Sequence, residues 1–141
     1  MLYEHSQSLV WPIVVIGVGF VATTVLAVVG GEPSLWFTPP LVAVIGVLAY
    51  GLSRLNTTVT AAGVDVAFRW GWPRKQINRA DIVAATKVRN RWWYGTGVHL
   101  IPGATMYNVW GLDAVHLKLA DSKDFRIGTD DPDGLLAALT A

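Results

Sequence analysis

The 141-residue sequence contains no cysteine, which excludes a disulfide framework, a thiolate metal site and a cysteine nucleophile. A domain built without disulfides fits a cytosol-facing setting. Basic residues are missing from the first third of the chain: all 11 Lys and Arg lie at or after Arg54, and between His5 and Arg54 the only charged side chain is Glu32. Charge is scarce overall, at 15% against 52% hydrophobic residues and a mean hydropathy of +0.42, well to the apolar side of ordinary soluble proteins.

The groupings that carry catalysis are also missing. There is no Gly-x-Ser-x-Gly elbow and no Ser-x-x-Lys pair, so the Ser and Thr hydroxyls have no activating context. Gly95-Thr96-Gly97 lacks the third glycine or the Lys-Ser/Thr of a phosphate loop and reads as a turn. His5, His99 and His116 are scattered outside any metal spacing. Asp130, Asp131 and Asp133 are followed only by Gly134 to Ala141, too short for a twelve-residue calcium loop. No enzyme, cofactor or metal is expected.

What is present begins with two apolar segments. Leu9 to Val29 is 21 residues without a charge, enough as a helix to cross about 30 Å of hydrocarbon. It exceeds a signal-peptide core, and Met1 to Ser8 lacks the basic residues of a leader. Gly30-Gly31-Glu32-Pro33-Ser34 turns the chain, Trp36 and Phe37 suit the headgroup level, and Pro39-Pro40 opens a second helix over about 39–55. The basic residues that follow, Arg54 and Arg69, predict both termini in the cytoplasm and the Gly30 to Thr38 turn outside. Residues 1–55 thus read as a transmembrane hairpin in contact with the lipid bilayer through 9–55, and residues 56–141 as one cytoplasmic domain. Gly19, Thr23, Ala43, Gly46 and Ala49 allow close helix approach, within one hairpin or against another membrane protein.

From Asn56 the hydrophobic period becomes that of short strands separated by turn residues. Strands are expected at 57–60, 64–70, 74–78, 82–88, 98–101, 114–120 and 124–128. Val115, Leu117 and Leu119 alternate with His116 and Lys118, and Val64, Val66 and Phe68 with Asp65 and Arg69, so each strand has one core face. Asp121-Ser122-Lys123-Asp124 reads as the last hairpin turn. Thr129-Asp130-Asp131-Pro132-Asp133 is a helix start, with Leu135, Leu136 and Leu139 as the apolar face.

Seven antiparallel strands followed by a helix is the element order of a pleckstrin-homology (PH) barrel. The stretches Thr58-Val59-Thr60, Arg69-Trp70-Gly71-Trp72-Pro73-Arg74, Trp92-Trp93-Tyr94-Gly95-Thr96-Gly97, Tyr107-Asn108-Val109 and Phe125-Arg126-Ile127-Gly128-Thr129-Asp130-Asp131-Pro132 resemble small bacterial membrane proteins with a PH-like domain behind two transmembrane helices. The resemblance implies a mainly β PH-like barrel on a membrane hairpin and carries no functional residue. Thr96 and His99 stand where an aromatic and a basic residue are common in that family.

One cluster stands out. Lys87, Arg89 and Arg91 are spaced by two, hence on one strand face, and lead directly into Trp92, Trp93 and Tyr94. Cations beside interfacial aromatics suit a membrane or partner surface, and Arg74, Lys75 and Arg79 extend the patch. The competing expectation is a solvated basic face with tryptophans packed in the core, since seven tryptophans in so small a protein are expected mostly to pack. Nucleic acid is disfavoured: residues 54–141 hold 11 bases against 8 acids. A phosphoinositide site of the usual PH kind is disfavoured by the loop Ala61-Ala62-Gly63, which carries no base. The leading expectation is a non-catalytic binding module at the cytoplasmic face with a protein partner. An accessory subunit of a larger membrane complex and an anionic-lipid sensor are the alternatives.

Overall fold

A computed structural model describes residues 1–121 and 123–141. The chain opens with strand β1 (Tyr3–Ser8), crosses to helix α1 (Trp11–Gly30), turns through a 3-10 segment (Pro33–Phe37) and returns along α2 (Thr38–Gly51). Next come β2 (Arg54–Val59), β3 (Gly63–Phe68), β4 (Arg74–Asn78), β5 (Ile82–Arg89), β6 (Gly97–Ile101), β7 (Ala104–Asn108), β8 (Asp113–Leu119) and β9 (Asp124–Gly128). Helix α3 (Pro132–Thr140) closes the chain.

Trp11–Gly30 and Pro33–Gly51 are long and apolar enough to cross a membrane. Inside the pair Gly46 packs so closely on α1 that an added Cβ would lie 3.1 Å from Ile16 Cγ2, whereas Gly19 meets nothing within 4 Å. Thr23 returns its hydroxyl to the Gly19 carbonyl at 2.9 Å, which keeps that polar group satisfied in apolar surroundings. The second helix ends at Gly51 and not, as expected, near Leu55. The reason is tertiary: Trp70 lies over Gly51, and Leu55 is needed in the core, where it is 1% exposed.

The β region is two sheets, and the expected closed seven-stranded barrel is corrected by this arrangement. Among the described residues there are nine strands, in the orders β1-β2-β3-β4 and β5-β8-β9-β7-β6. All pairings are antiparallel except β7 with β9. The two extra strands carry no alternating hydrophobic signal. In β1 the inward positions are Tyr3, His5 and Gln7, which find polar partners: Tyr3 donates to Asp131 Oδ2 at 3.1 Å, His5 bonds Asp130, and Gln7 donates to the Trp110 carbonyl at 3.0 Å. In β7 both faces are covered, with Tyr107 and Met106 buried on opposite sides, so periodicity vanishes.

Elsewhere the alternation holds. Val64, Val66 and Phe68 of the first sheet meet Val115, Leu117 and Ile127 of the second, with Leu135 and Leu139 of α3 laid over the same core. Tyr107 stands between Phe68 and Phe125, with ring centroids 5.3 and 5.0 Å away. Each such ring contributes about 2–3 kcal/mol of burial. The start of α3 is also as expected: Asp131 caps it by accepting from Gly134 N at 3.0 Å, with Pro132 in the first turn. Of the expected turn after β8, Ser122 lies outside the described residues.

Because Ser8 pairs with Arg54, both apolar helices leave from one end of the first sheet. That hairpin end organises the candidate site.

Candidate site at the hairpin end

Arg69 joins the hairpin to the β domain. Its guanidinium donates to the Tyr50 carbonyl and Ser53 Oγ, each at 3.2 Å, and lies 4.1 Å above the Tyr50 ring. A helix ends with carbonyls that lack partners and with partial negative charge, so a cation there answers both needs. Trp70, next in sequence, reaches α2 and pairs with Tyr50 at 6.4 Å.

The predicted basic and aromatic cluster divides. Strand β5 stops at Arg89, so Arg91 does not share its face but begins the 3-10 turn Trp92–Tyr94. Lys87 is drawn to the C-terminal helix, 2.9 Å from Asp133. Arg89 stands opposite Asp113 in the sheet register. Arg91 lies 5.0 Å above the Trp93 ring, and Trp93 meets both Trp92 and Tyr94 edge-on. Of the patch extension, Arg74 forms an ion pair with Asp65, which raises the pKa of the guanidinium, and Arg79 donates to the Ala138 carbonyl at 3.2 Å. The continuous basic face expected from spacing is thereby corrected.

The expectation that the tryptophans mostly pack in the core is overturned. All seven are exposed, from 42% at Trp110 to 78% at Trp92. Six gather at the hairpin end: Trp11 opens α1, Trp70 and Trp72 occupy the β3–β4 turn, Trp92 and Trp93 the β5–β6 connection, and Trp110 the β7–β8 loop. Trp36 lies in the 3-10 segment at the opposite tip of the hairpin. A sequence signal for this existed. Trp70, Trp72 and Trp110 each neighbour Gly71 or Gly111, glycines with φ of 75° and 82°. An aromatic beside a left-handed turn glycine sits on a loop, not in a strand core.

Between these loops and the start of α1 is a cavity of about 320 Å³, lined in part by Leu9, Trp11, Asn90, Arg91, Trp92 and Trp110. Its frame is polar and hydrogen-bonded. Asn90 N donates to the Leu112 carbonyl at 2.6 Å, and Asn108, itself buried, donates to the carbonyls of Gly95 and Gly111 at 3.0 and 3.4 Å. Across the outer face of the second sheet, Arg126 donates to Asn90 Oδ1 at 3.0 Å and to His116 Nδ1 at 3.4 Å. With Nδ1 accepting, His116 Nε2 is the donor to Asp124 at 3.0 Å. That bond, with Leu119 N–H, holds the Asp124 carboxyl below its usual range.

Several further titratable groups are engaged structurally. Asp130, Asp131 and Asp133 serve His5, the helix cap and Lys87, and burial followed by the nearby Asp131 pushes the Tyr3 hydroxyl well above its ordinary value. His99 bonds the Thr96 carbonyl in its own hairpin. Sequence reasoning missed Trp11, Asn90, Asn108 and Trp110, whose association is set by loops distant in sequence. No family model, curated protein or solved structure matches the chain.

Proposed function

We propose that the protein is a membrane-anchored, non-catalytic binding module of PH-like type. Helices α1 and α2 cross a bacterial plasma membrane with both termini cytoplasmic, and the β domain rests on the inner leaflet through its tryptophan-bearing loops. The observation that carries this reading is the gathering of six exposed tryptophans at the end from which both apolar helices leave. Indole rings favour the headgroup region, where an apolar body and a polar N–H are both accommodated.

Arg54, Arg69, Arg89 and Arg91 lie at the same end, and each basic residue near an anionic leaflet contributes about 1 kcal/mol. Seated in this way, the domain keeps the edge strands β4 and β6 open to a protein partner by strand addition. Two packed sheets with a C-terminal helix support the PH-like assignment; the five-stranded second sheet and its parallel pair depart from it.

One observation favours the accessory-subunit alternative. A groove of about 380 Å³ runs between α1 and α2 past Gly17 and Gly46, and a Cβ on Gly17 would meet nothing within 4 Å, which leaves room for a third helix. A photoreactive residue at Trp93 in intact membranes tests the principal reading. Lipid adducts are expected. Capture of one protein and no lipid would reassign the rim to a protein interface, and loss of a stoichiometric partner in Gly17→Leu would favour the subunit.

A further inference from the structure

We infer that the cavity at the hairpin end is a specific site for the phosphate-bearing headgroup of one anionic phospholipid, a conclusion that rests on the membrane-seated reading above and extends it from a surface to a ligand. The first argument is an unsatisfied donor. Asn90 is 4% exposed and borders the cavity; Arg126 occupies its Oδ1, while its Nδ2 has no partner among the described residues. A buried amide donor left unpaired costs about 1–3 kcal/mol, so an acceptor in the cavity recovers stability once a small shift of the wall brings it to this nitrogen.

The second argument is charge. Arg91 borders the same cavity and no Asp or Glu among the described residues does. Its guanidinium lies over the Trp93 ring and, among the described residues, meets no carboxylate, so its charge and its forked donors are left for an anion at the mouth of the cavity. A cation and a neutral donor with no acid favour an anionic acceptor, and Asn108, on the same lining, adds an acceptor, Oδ1, that has no partner among the described residues and suits a headgroup hydroxyl.

The third argument separates a lipid from a free anion. Leu9, Trp11, Trp92 and Trp110 make the walls aromatic and aliphatic, surfaces that inorganic phosphate would leave unfilled. At about 320 Å³ the cavity is within the usual range for a small-ligand site, sufficient for a glycerophosphate but not for acyl chains. Those chains have a path, because the cavity opens beside Trp11, the first residue of the apolar helix α1. An amphiphile with an anionic head and apolar tails matches each feature.

The test is native mass spectrometry of the delipidated full-length protein in neutral detergent, titrated with phosphatidylglycerol, with phosphatidylcholine, and with phosphatidylglycerol in the presence of inorganic phosphate. Wild type should bind one phosphatidylglycerol per chain, about tenfold more tightly than phosphatidylcholine. Arg91→Gln and Trp92→Ala, both at exposed positions, should each lose about tenfold. Lys87→Gln, the same charge change on the α3 side, should lose none. Equal losses in Arg91→Gln and Lys87→Gln, or binding that never saturates, would overturn the site in favour of diffuse attraction. Complete displacement by inorganic phosphate would overturn the lipid assignment. If lipid adducts at Trp93 persist in membranes while saturable binding is absent, the specific site fails and the membrane seat stands; if those adducts are absent too, both fail.

Discussion

On the α3 side of the β domain, side-chain donors meet carboxylates: Lys87 with Asp133, His5 with Asp130 and, across the outer sheet face, the His116 imidazole with Asp124. At the hairpin end Arg69 and Arg91 meet rings, Tyr50 and Trp93, while Arg74 keeps a carboxylate, Asp65. A carboxylate neutralises its partner and fixes it to the fold. A ring holds the guanidinium in place while its charge stays available to a second group. Nitrogen-bearing side chains therefore form a closed structural seam on one side and, on the other, include guanidiniums stacked on exposed rings, the surface that the proposed function seats on an anionic leaflet.

The contrast is tested first through what both regions share. Phe68 is fully buried against Tyr107, so Phe68→Ala should cost about 3–5 kcal/mol in chemical unfolding followed in detergent, with both ends lost in one transition. Separate transitions would mean that the two ends do not depend on one core.

Asp131→Ala acts on the seam alone. It removes the α3 cap and the acceptor of the Tyr3 hydroxyl, a loss of about 1–2 kcal/mol, while lipid crosslinking at position 93 stays at the wild-type level. Trp92→Ala should do the reverse: at 78% exposure it changes unfolding free energy by less than about 0.5 kcal/mol and weakens contact with anionic bilayers. A large stability loss in Trp92→Ala would erase the distinction between seam and surface.

The smallest effect is pH-dependent. His116 and the Leu119 N–H hold the folded Asp124 carboxyl below its ordinary value, so its contribution is fully present above the unfolded pKa and disappears as pH falls through the folded one. Asp124→Asn should be slightly less stable than wild type at neutral pH, with melting curves that converge in acid. Identical curves at pH 7 would show that the His116–Asp124 bond contributes nothing.

The two apolar helices, the alternating faces of β3 and β8 and the capped start of α3 follow from the sequence by itself, because each rests on local regularities: run length, period and the chemistry of a helix N-terminus. Tertiary structure alone decided the rest. Strand β1 is polar throughout and exists through its pairing with β2, some fifty residues away. Strand β7 is buried on both faces and so shows no period. Whether a tryptophan is core or surface depends on which loops converge, and Trp11, Trp92 and Trp110 come together only when β1, the β5–β6 connection and the β7–β8 loop reach the same end of the domain. Spacing placed Lys87, Arg89 and Arg91 on one face, but a strand confers that geometry only while it lasts, and β5 ends at Arg89. Local periodicity determines which face a residue takes within its element; the packing of distant elements determines what that face meets.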